Sequence, residues 1–116
     1  MAGHHGYGGT PWISPSAVMD EVLALLTALA EPTRLAALRI LCDGGEHCAC
    51  ELMAKLGASQ SRMSRHMAVL KAAGLVTDRR DAQWVRYRRN ASLSPVVASI
   101  VDAVMAATPV ARSDAA

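Results

Sequence analysis

The stretch SQSRMSRHMAVLKAAG, residues 59–74, decides the fold because it predicts one helix with two different faces. Met63, Met67 and Leu70 recur at helical spacing and form an apolar stripe. The opposite face is short, polar and basic, and consists of Ser61, Ser64, Arg65, Ala68 and Ala72. Serine hydroxyls and a guanidinium beside an amide are groups that read base edges in a DNA major groove. An ordinary amphipathic helix with a solvated face is the alternative.

The segments on either side favour DNA binding. A short helix is predicted over residues 48–56, and Gly57 separates it from the stretch above, which gives a helix-turn-helix pattern. After Gly74 the period changes, and residues 75–80 and 84–89 read as two strands around a turn. A basic hairpin in this position is typical of a wing, whose arginines reach phosphates or a minor groove. A solvated hairpin kept soluble by its charge is the alternative.

Three more helices complete a fold that is mainly α with a small β-hairpin, a winged helix-turn-helix. The first begins at Ser14-Pro15, the second at Glu31-Pro32 and the last at Ser94-Pro95. The first has a wide apolar stripe of Val18, Val22, Leu25, Leu26 and Leu29. The last is apolar over more than one face, with Val96, Val97, Ile100, Val101, Val104 and Met105. These two surfaces favour a homodimer through the first and last helices, which suits a palindromic operator in double-stranded DNA. Closure of the domain's own core by the last helix is the alternative.

Length and composition indicate one domain over residues 14–107, between a flexible N-terminal arm (1–13) and a C-terminal tail (108–116). Aromatic residues make up only 3%, which favours packed helices over a sheet sandwich. The net charge is +2, yet eight of the twelve basic residues lie between Arg62 and Arg89, against Asp78 and Asp81. Eight minus two leaves a local charge of +6, which attracts phosphates.

The remaining composition predicts a cytoplasmic protein. No apolar run is long enough for a membrane span, and the N-terminus does not resemble a signal peptide, so no membrane partner is expected. Three cysteines, two of them in a C-x-C, do not suggest a disulfide framework and fit a reducing compartment. His4 and His5 in the N-terminal arm are more typical of an unremarkable tail than of metal ligands.

The middle of the chain, roughly residues 16–107, resembles the ArsR/SmtB family of metal-responsive repressors. The matching segments are LAEPTRL (29–35), GEHCACEL (45–52), SQSRMSRHMAVL (59–70), AGLV (73–76) and the wing from Arg79 to Tyr87. The resemblance implies a homodimeric winged helix-turn-helix protein that occupies its operator without inducer. It leaves the operator when a metal or metalloid binds.

The pair Cys48-Ala49-Cys50 resembles the arsenic-sensing branch, which typically carries C-x-C-x-x-C. The third position is Met53 here, a weak ligand that suits the core better, and Cys42 is the plausible substitute. The last helix has Asp102 and no histidine, so the zinc or nickel site that the family places there is not expected. The implied metal site is therefore Cys48, Cys50 and Cys42.

Thiolates select soft ions, and trivalent arsenic or antimony requires sulfur ligands. On an ideal helix the side chains of Cys48 and Cys50 point about 200° apart. Binding of arsenic to both should therefore unwind the first turn of the third helix and move the helix in residues 59–74, the recognition helix. Small buried hydrophobic cysteines are the alternative. His47, between Glu46 and Cys48, reads as a solvated loop residue rather than a ligand.

The sequence therefore predicts a transcriptional repressor that arsenite releases from its operator, with the chemically similar antimonite as a further inducer. The repressor is expected to need no cofactor to fold. A sensor of methylated arsenicals, cadmium or lead, and a thiol redox switch pairing Cys48 or Cys50 with Cys42, are the other candidates. A protein–protein adaptor is the candidate from another class; no catalytic pattern suggests an enzyme. The predicted DNA contacts are Gln60, Ser61, Ser64, Arg65, His66, Arg79, Arg80 and Arg86.

Overall fold

Five helices surround a small antiparallel sheet in the computed structural model, which describes residues 15–109. The elements in chain order are α1 (Pro15–Leu29), α2 (Pro32–Leu41), β1 (His47–Cys48), α3 (Ala49–Leu56), α4 (Gln60–Ala72), β2 (Val76–Asp81), β3 (Trp84–Arg89) and α5 (Pro95–Ala107). The predicted N-terminal arm with His4 and His5 lies outside the described residues. No helix among residues 15–109 has the length and hydropathy that a membrane span requires.

One apolar core joins all five helices to the hairpin. Its fully buried large side chains are Leu25, Leu38, Leu41, Leu52, Met63, Met67, Leu70, Leu75 and Val101. Burial of a side chain of this size contributes roughly 1.5–3 kcal/mol. Met63, Met67 and Leu70 are the stripe predicted for the recognition helix, so the buried side of α4 is confirmed.

Local capping defines the helix-turn-helix. The Ser59 hydroxyl accepts a hydrogen bond from the Arg62 amide at 3.3 Å and so caps α4. Gly57 ends α3 with a φ of +65°, a backbone conformation that favours glycine, and its amide donates to the Met53 carbonyl at 2.9 Å. Gly57 was predicted from sequence as the break between the two helices, and the order of α3 and α4 is confirmed.

The sheet has one strand more than the sequence predicted. Its order is β1-β3-β2, with His47 opposite Tyr87 and Cys48 opposite Arg86. A strand of two residues is too short to show the alternation of apolar and polar side chains that predicts a strand. Its residues pair only with Tyr87 and Arg86, which are distant in the sequence. The residue that appeared to begin the third helix is therefore the end of a strand, and α3 begins at Ala49.

Apolar side chains remain exposed on α1 and α5. On α1, Leu25, Ala28 and Leu29 are buried. The exposed apolar residues of the two helices are Val18, Met19, Leu23 and Leu26 on α1 and Val96 on α5, with exposed fractions from 39% to 66%. Such a patch is typical of a surface that another protein chain covers.

The wing turn yields a prediction about stability. β2 and β3 are joined by Ala82 and Gln83, and Ala82 has a φ of +57°. Two-residue hairpin loops require a positive φ, which glycine adopts more easily than alanine. We expect Ala82→Gly to raise the free energy of unfolding by about 0.5–1 kcal/mol, measured by urea denaturation. Gln83→Gly is the control, and a gain of the same size there would contradict the explanation.

Candidate nucleic-acid interface and cysteine pair

The exposed face of α4 carries the polar residues that the sequence assigned to base contacts. Gln60, Ser61, Ser64 and Arg65 are all exposed, whereas the apolar stripe on the other side of the helix is buried. Ala68 and Ala72, which lie on the same face, are also exposed and add little bulk. The helix therefore presents hydroxyls, an amide and a guanidinium on a surface that a partner can approach closely.

Three arginines near this face have guanidinium groups without a partner within residues 15–109. The side chains of Arg62, Arg65 and Arg80 form no hydrogen bond or ion pair with any other residue of the described chain. A guanidinium has five N–H donors, and all of them remain available for phosphate or base acceptors.

Two of the wing arginines that were predicted to contact DNA instead have acidic partners. Arg79 donates to both carboxylate oxygens of Glu46, from Nε at 2.7 Å and Nη2 at 2.8 Å. This hydrogen bonding lowers the pKa of the Glu46 carboxyl below its ordinary value, although partial desolvation opposes it. Arg86 donates from Nε to Asp81 at 2.7 Å. Because these pairs are solvent-accessible, salt and phosphate compete with them readily.

His66 lies off the exposed face of α4. Its side chain is only 15% exposed, with Nδ1 at 3.4 Å from Arg34 Nη1 and at 3.8 Å from Glu31 Oε1. Arg34 also donates from Nε to the Ala28 carbonyl at 2.7 Å, at the end of α1. His66 therefore takes part in a junction between α1, α2 and α4, rather than in the surface that carries Arg65.

Cys48 and Cys50 lie together at the start of α3. Cys48 caps this helix with an extended backbone (φ −66°, ψ 144°), and its sulfur accepts the Cys50 amide at 3.3 Å. The two sulfurs are paired as a disulfide, with the Cα atoms 5.2 Å apart. Cys48 is buried and Cys50 is exposed. The expectation that the sulfurs diverge by about 200° is wrong, because Cys48 precedes the helix and does not follow helical geometry.

Cys42 has other partners. It follows α2, is half-buried, and accepts a hydrogen bond from Arg89 Nη1 at 3.4 Å. The same Arg89 nitrogen lies 2.8 Å from Asp102 on α5. Within residues 15–109, no three side chains of the His, Cys, Asp and Glu types are arranged to hold a metal ion. The structure thus brings two of the three predicted thiols together, and connects the third to α5.

His47 is not a solvated loop residue, and that prediction is wrong. It belongs to β1, its side chain is 11% exposed, and its two nitrogens lie 2.8 Å from Asp43 Oδ2 and 2.8 Å from Glu51 Oε2. Burial lowers the pKa of His47, but the hydrogen bonds to Glu51 and Asp43 outweigh it and raise the pKa overall. The spacing of four residues on each side was the sequence signal for this bridge, which fixes the chain just before Cys48.

Taken together, these features define a class of protein. A short helix, a tight turn, a second helix with an exposed basic face and a hairpin with several arginines form a winged helix-turn-helix DNA-binding protein. The function is therefore one of binding DNA rather than of catalysis.

Comparison with known proteins identifies the family. Residues 31–78 match the family model described as "Bacterial regulatory protein, arsR family". The chain is 39% identical over 80 residues to the arsenical resistance operon repressor of Escherichia coli, a match that covers 69% of this chain and 68% of that protein. It is 40% identical over 94 residues to the arsenic resistance transcriptional regulator ArsR1 of Pseudomonas putida, covering 78% of this chain and 70% of the relative.

A solved structure agrees with this match. The homodimeric winged helix-turn-helix DNA-binding domain Mb0332 from Mycobacterium bovis, a possible ArsR-family regulator, superposes with a TM-score of 0.68. The identity is 27%, and the superposition covers 86% of this chain and 88% of that one. The chain belongs to the ArsR family of DNA-binding transcriptional repressors.

The junction around His66 yields a prediction about pH. Glu31 caps α2, and its Oε1 accepts the Arg34 amide at 2.8 Å. Burial raises the pKa of Glu31, but this hydrogen bond and the nearby His66 outweigh it and lower the pKa below 4.5. The charged carboxylate therefore stabilises the fold above pH 4.5, and this contribution is lost as the pH falls through the lowered pKa.

We expect Glu31→Gln to lower the free energy of unfolding by about 0.3–1 kcal/mol at pH 7, measured by urea denaturation. The difference from the unmodified protein should shrink below pH 4. Glu21→Gln, on an exposed position of α1, is the control for charge alone. An equal, pH-independent loss in both variants would contradict the capping role of Glu31.

Proposed function

We propose that this ArsR-family repressor leaves its operator when trivalent arsenic binds the thiolates of Cys48 and Cys50. The observation that carries the proposal is the convergence of the two sulfurs at the first turn of α3, the helix that packs against the recognition helix α4. Sulfur ligands select soft, thiophilic ions. Relatives named as arsenical resistance repressors support the same inducer.

In the proposed complex, α4 lies in the major groove of double-stranded DNA. Gln60, Ser61, Ser64 and Arg65 contact base edges, because they are exposed together on one side of the helix. The wing arginines contact the phosphate backbone: Arg80 directly, and Arg79 and Arg86 by exchanging their exposed acidic partners for phosphates. His66 is left out of this set, since its ring packs against Arg34.

The repressor acts as a homodimer in this proposal. The exposed apolar side chains of α1 and α5, such as Leu23, Leu26 and Val96, are the surface that a second copy covers. A two-fold dimer places two α4 helices about one turn of DNA apart, roughly 34 Å, and so reads a palindromic operator. An operator-binding protein of this kind works in the cytoplasm, where thiols remain reduced.

Loss of the helix cap is one route from ligand to release. In this proposal an arsenic atom between the two sulfurs holds them further apart than their direct bond does. The Cys48 sulfur then loses the hydrogen bond from the Cys50 amide, and α3 loses its cap. A lost N-cap costs about 0.5–2 kcal/mol. A thousandfold loss of operator affinity requires about 4 kcal/mol, so the cap accounts for at most half of such a response.

Recruitment of Cys42 supplies a second route. To become a third ligand, Cys42 must leave Arg89, which also pairs with Asp102 on α5. Binding through three thiolates would thus disturb the contact between the hairpin and the proposed dimer helix as well as the cap of α3. Arsenite and antimonite, which take three sulfur ligands, would use both routes.

A second candidate inducer is a singly methylated arsenical. It requires only two thiolates, and Cys48 and Cys50 are adjacent while Cys42 is engaged elsewhere. Cadmium and lead are further thiophilic candidates. A titration of the DNA complex with arsenite, methylarsenite, antimonite, cadmium and zinc ranks these inducers.

Removal of Arg65 tests the DNA contacts. If its guanidinium reads a base, Arg65→Ala should weaken operator binding by about 1–3 kcal/mol and relax preference at one position of the site. Fluorescence anisotropy with the operator and single-base variants measures both effects. Lys55→Ala, which removes an equal charge from the C-terminal part of α3, is the control. Equal weakening on every sequence would assign Arg65 to phosphate instead.

Cysteine variants test the inducer site. Reduced Cys48→Ser and Cys50→Ser proteins should bind operator DNA normally and lose release by arsenite, because serine caps a helix well but does not bind arsenic as a thiolate does. Cys42→Ser should raise the arsenite concentration needed for release and leave methylarsenite unaffected. Anisotropy titrations measure the release. A Cys48→Ser/Cys50→Ser protein that still responds to arsenite would rule out the site.

A further inference from the structure

We propose that Cys48 and Cys50 are also an oxidation site for hydroperoxides, and that the disulfide holds the repressor on DNA in an arsenic-insensitive form. The proposal rests on the assignment of the arsenic site to this pair. It differs from a redox switch that releases DNA, because here oxidation prevents release.

The backbone at the start of α3 permits the bond. Cys48 is extended and Cys50 is in the first turn, so the two side chains turn towards each other across Ala49. Their Cα atoms are 5.2 Å apart, within the usual range for bonded cysteines, and the sulfurs are paired. Because Cys50 is exposed, a small oxidant reaches its sulfur from solvent.

In the paired form the recognition helix α4 is packed on the core with its polar face exposed. With the sulfurs joined, Cys48 still accepts the Cys50 amide and caps α3. Leu52 of α3 and Met63 of α4 are both fully buried in the same core. The polar face of α4 around Arg65 is exposed at the same time. The paired form is therefore compatible with an α4 that is packed on the core and presents its polar face, and operator binding should persist.

The chemistry balances with a hydroperoxide as oxidant. The Cys50 thiolate attacks the terminal oxygen of hydrogen peroxide, the O–O bond breaks, and a sulfenic acid forms as hydroxide leaves and is protonated to water. The Cys48 thiol then attacks the sulfenic sulfur, the S–S bond forms and a second water leaves. Two thiols are oxidised by two electrons and one peroxide is reduced. The oxidised pair has no thiolate, and Cys42 alone is left to bind trivalent arsenic, which needs at least two sulfur ligands at the proposed site.

Cys42 is not part of this bond. Its sulfur is half-buried beside Arg89, which holds it in the contact between β3 and α5. A disulfide from Cys42 to Cys48 or Cys50 would break that contact, whereas the Cys48–Cys50 bond and the contact are present together. Cys42→Ser is therefore a suitable background in which to isolate the pair.

The test compares reduced and peroxide-treated protein, in the full chain and in Cys42→Ser. Treatment with hydrogen peroxide should lower the mass of both proteins by two hydrogen atoms and leave the mass of Cys50→Ser without this loss, as measured by mass spectrometry. The oxidised full chain should bind operator DNA within about twofold of the reduced protein. Its release should require at least about tenfold more arsenite, and a phosphine reductant, removed before titration, should restore the response.

Each outcome has one interpretation. Loss of DNA binding on oxidation, a disulfide that requires Cys42, oxygen addition without loss of hydrogen, or release of the oxidised protein by unchanged arsenite would each overturn the inference. If the reduced full chain itself fails to leave DNA with arsenite, the assignment of the arsenic site fails instead. Disulfide formation by mass and retention on DNA are still measured independently in that case.

Discussion

The Cys50 amide donates a hydrogen bond to the Cys48 sulfur. This contact connects the proposed arsenic site to α3, which packs against the recognition helix α4. Cys48 ends β1, which pairs with β3 of the wing, and the same residue caps α3, which packs against α4. In the proposed account, a ligand on the Cys48 sulfur therefore affects both the pairing of β1 with β3 of the wing and the cap of α3. No other cysteine in residues 15–109 occupies such a position, since Cys42 contacts Arg89 instead.

The energy of a helix cap explains how the proposed inducer site could act from a helix terminus. A single cap contributes about 0.5–2 kcal/mol, which is small beside the stability of a domain but enough to shift a DNA-binding equilibrium measurably. Its loss changes affinity by about 2–30-fold without unfolding the protein. The bridge from Asp43 through His47 to Glu51 keeps the chain fixed on both sides of Cys48, so a change in ligation is passed to α3 rather than absorbed by a loose loop.

Periodicity and capping residues predicted the helices, the hairpin and the buried stripe of α4, because each depends on neighbours in sequence. The strand β1 and the contact of His66 with Arg34 could not be predicted in this way, since both depend on partners more than 30 residues away, at Tyr87 and Arg34. The convergence of Cys48 and Cys50 was missed for the same reason. The prediction treated Cys48 as the first residue of the helix, and so placed its side chain on the side opposite to Cys50. Cys48 is instead the cap, one residue before the first turn, and its backbone is extended.

Amide hydrogen exchange of the reduced protein, with and without arsenite, tests most directly whether the thiol pair controls the helix it caps. We predict faster exchange in the first turn of α3, at residues 49–53, when arsenite binds, with a smaller effect in α4 and none at the α1–α2 junction. Release from DNA with unchanged exchange in α3, or with changes confined to α5, would contradict the account.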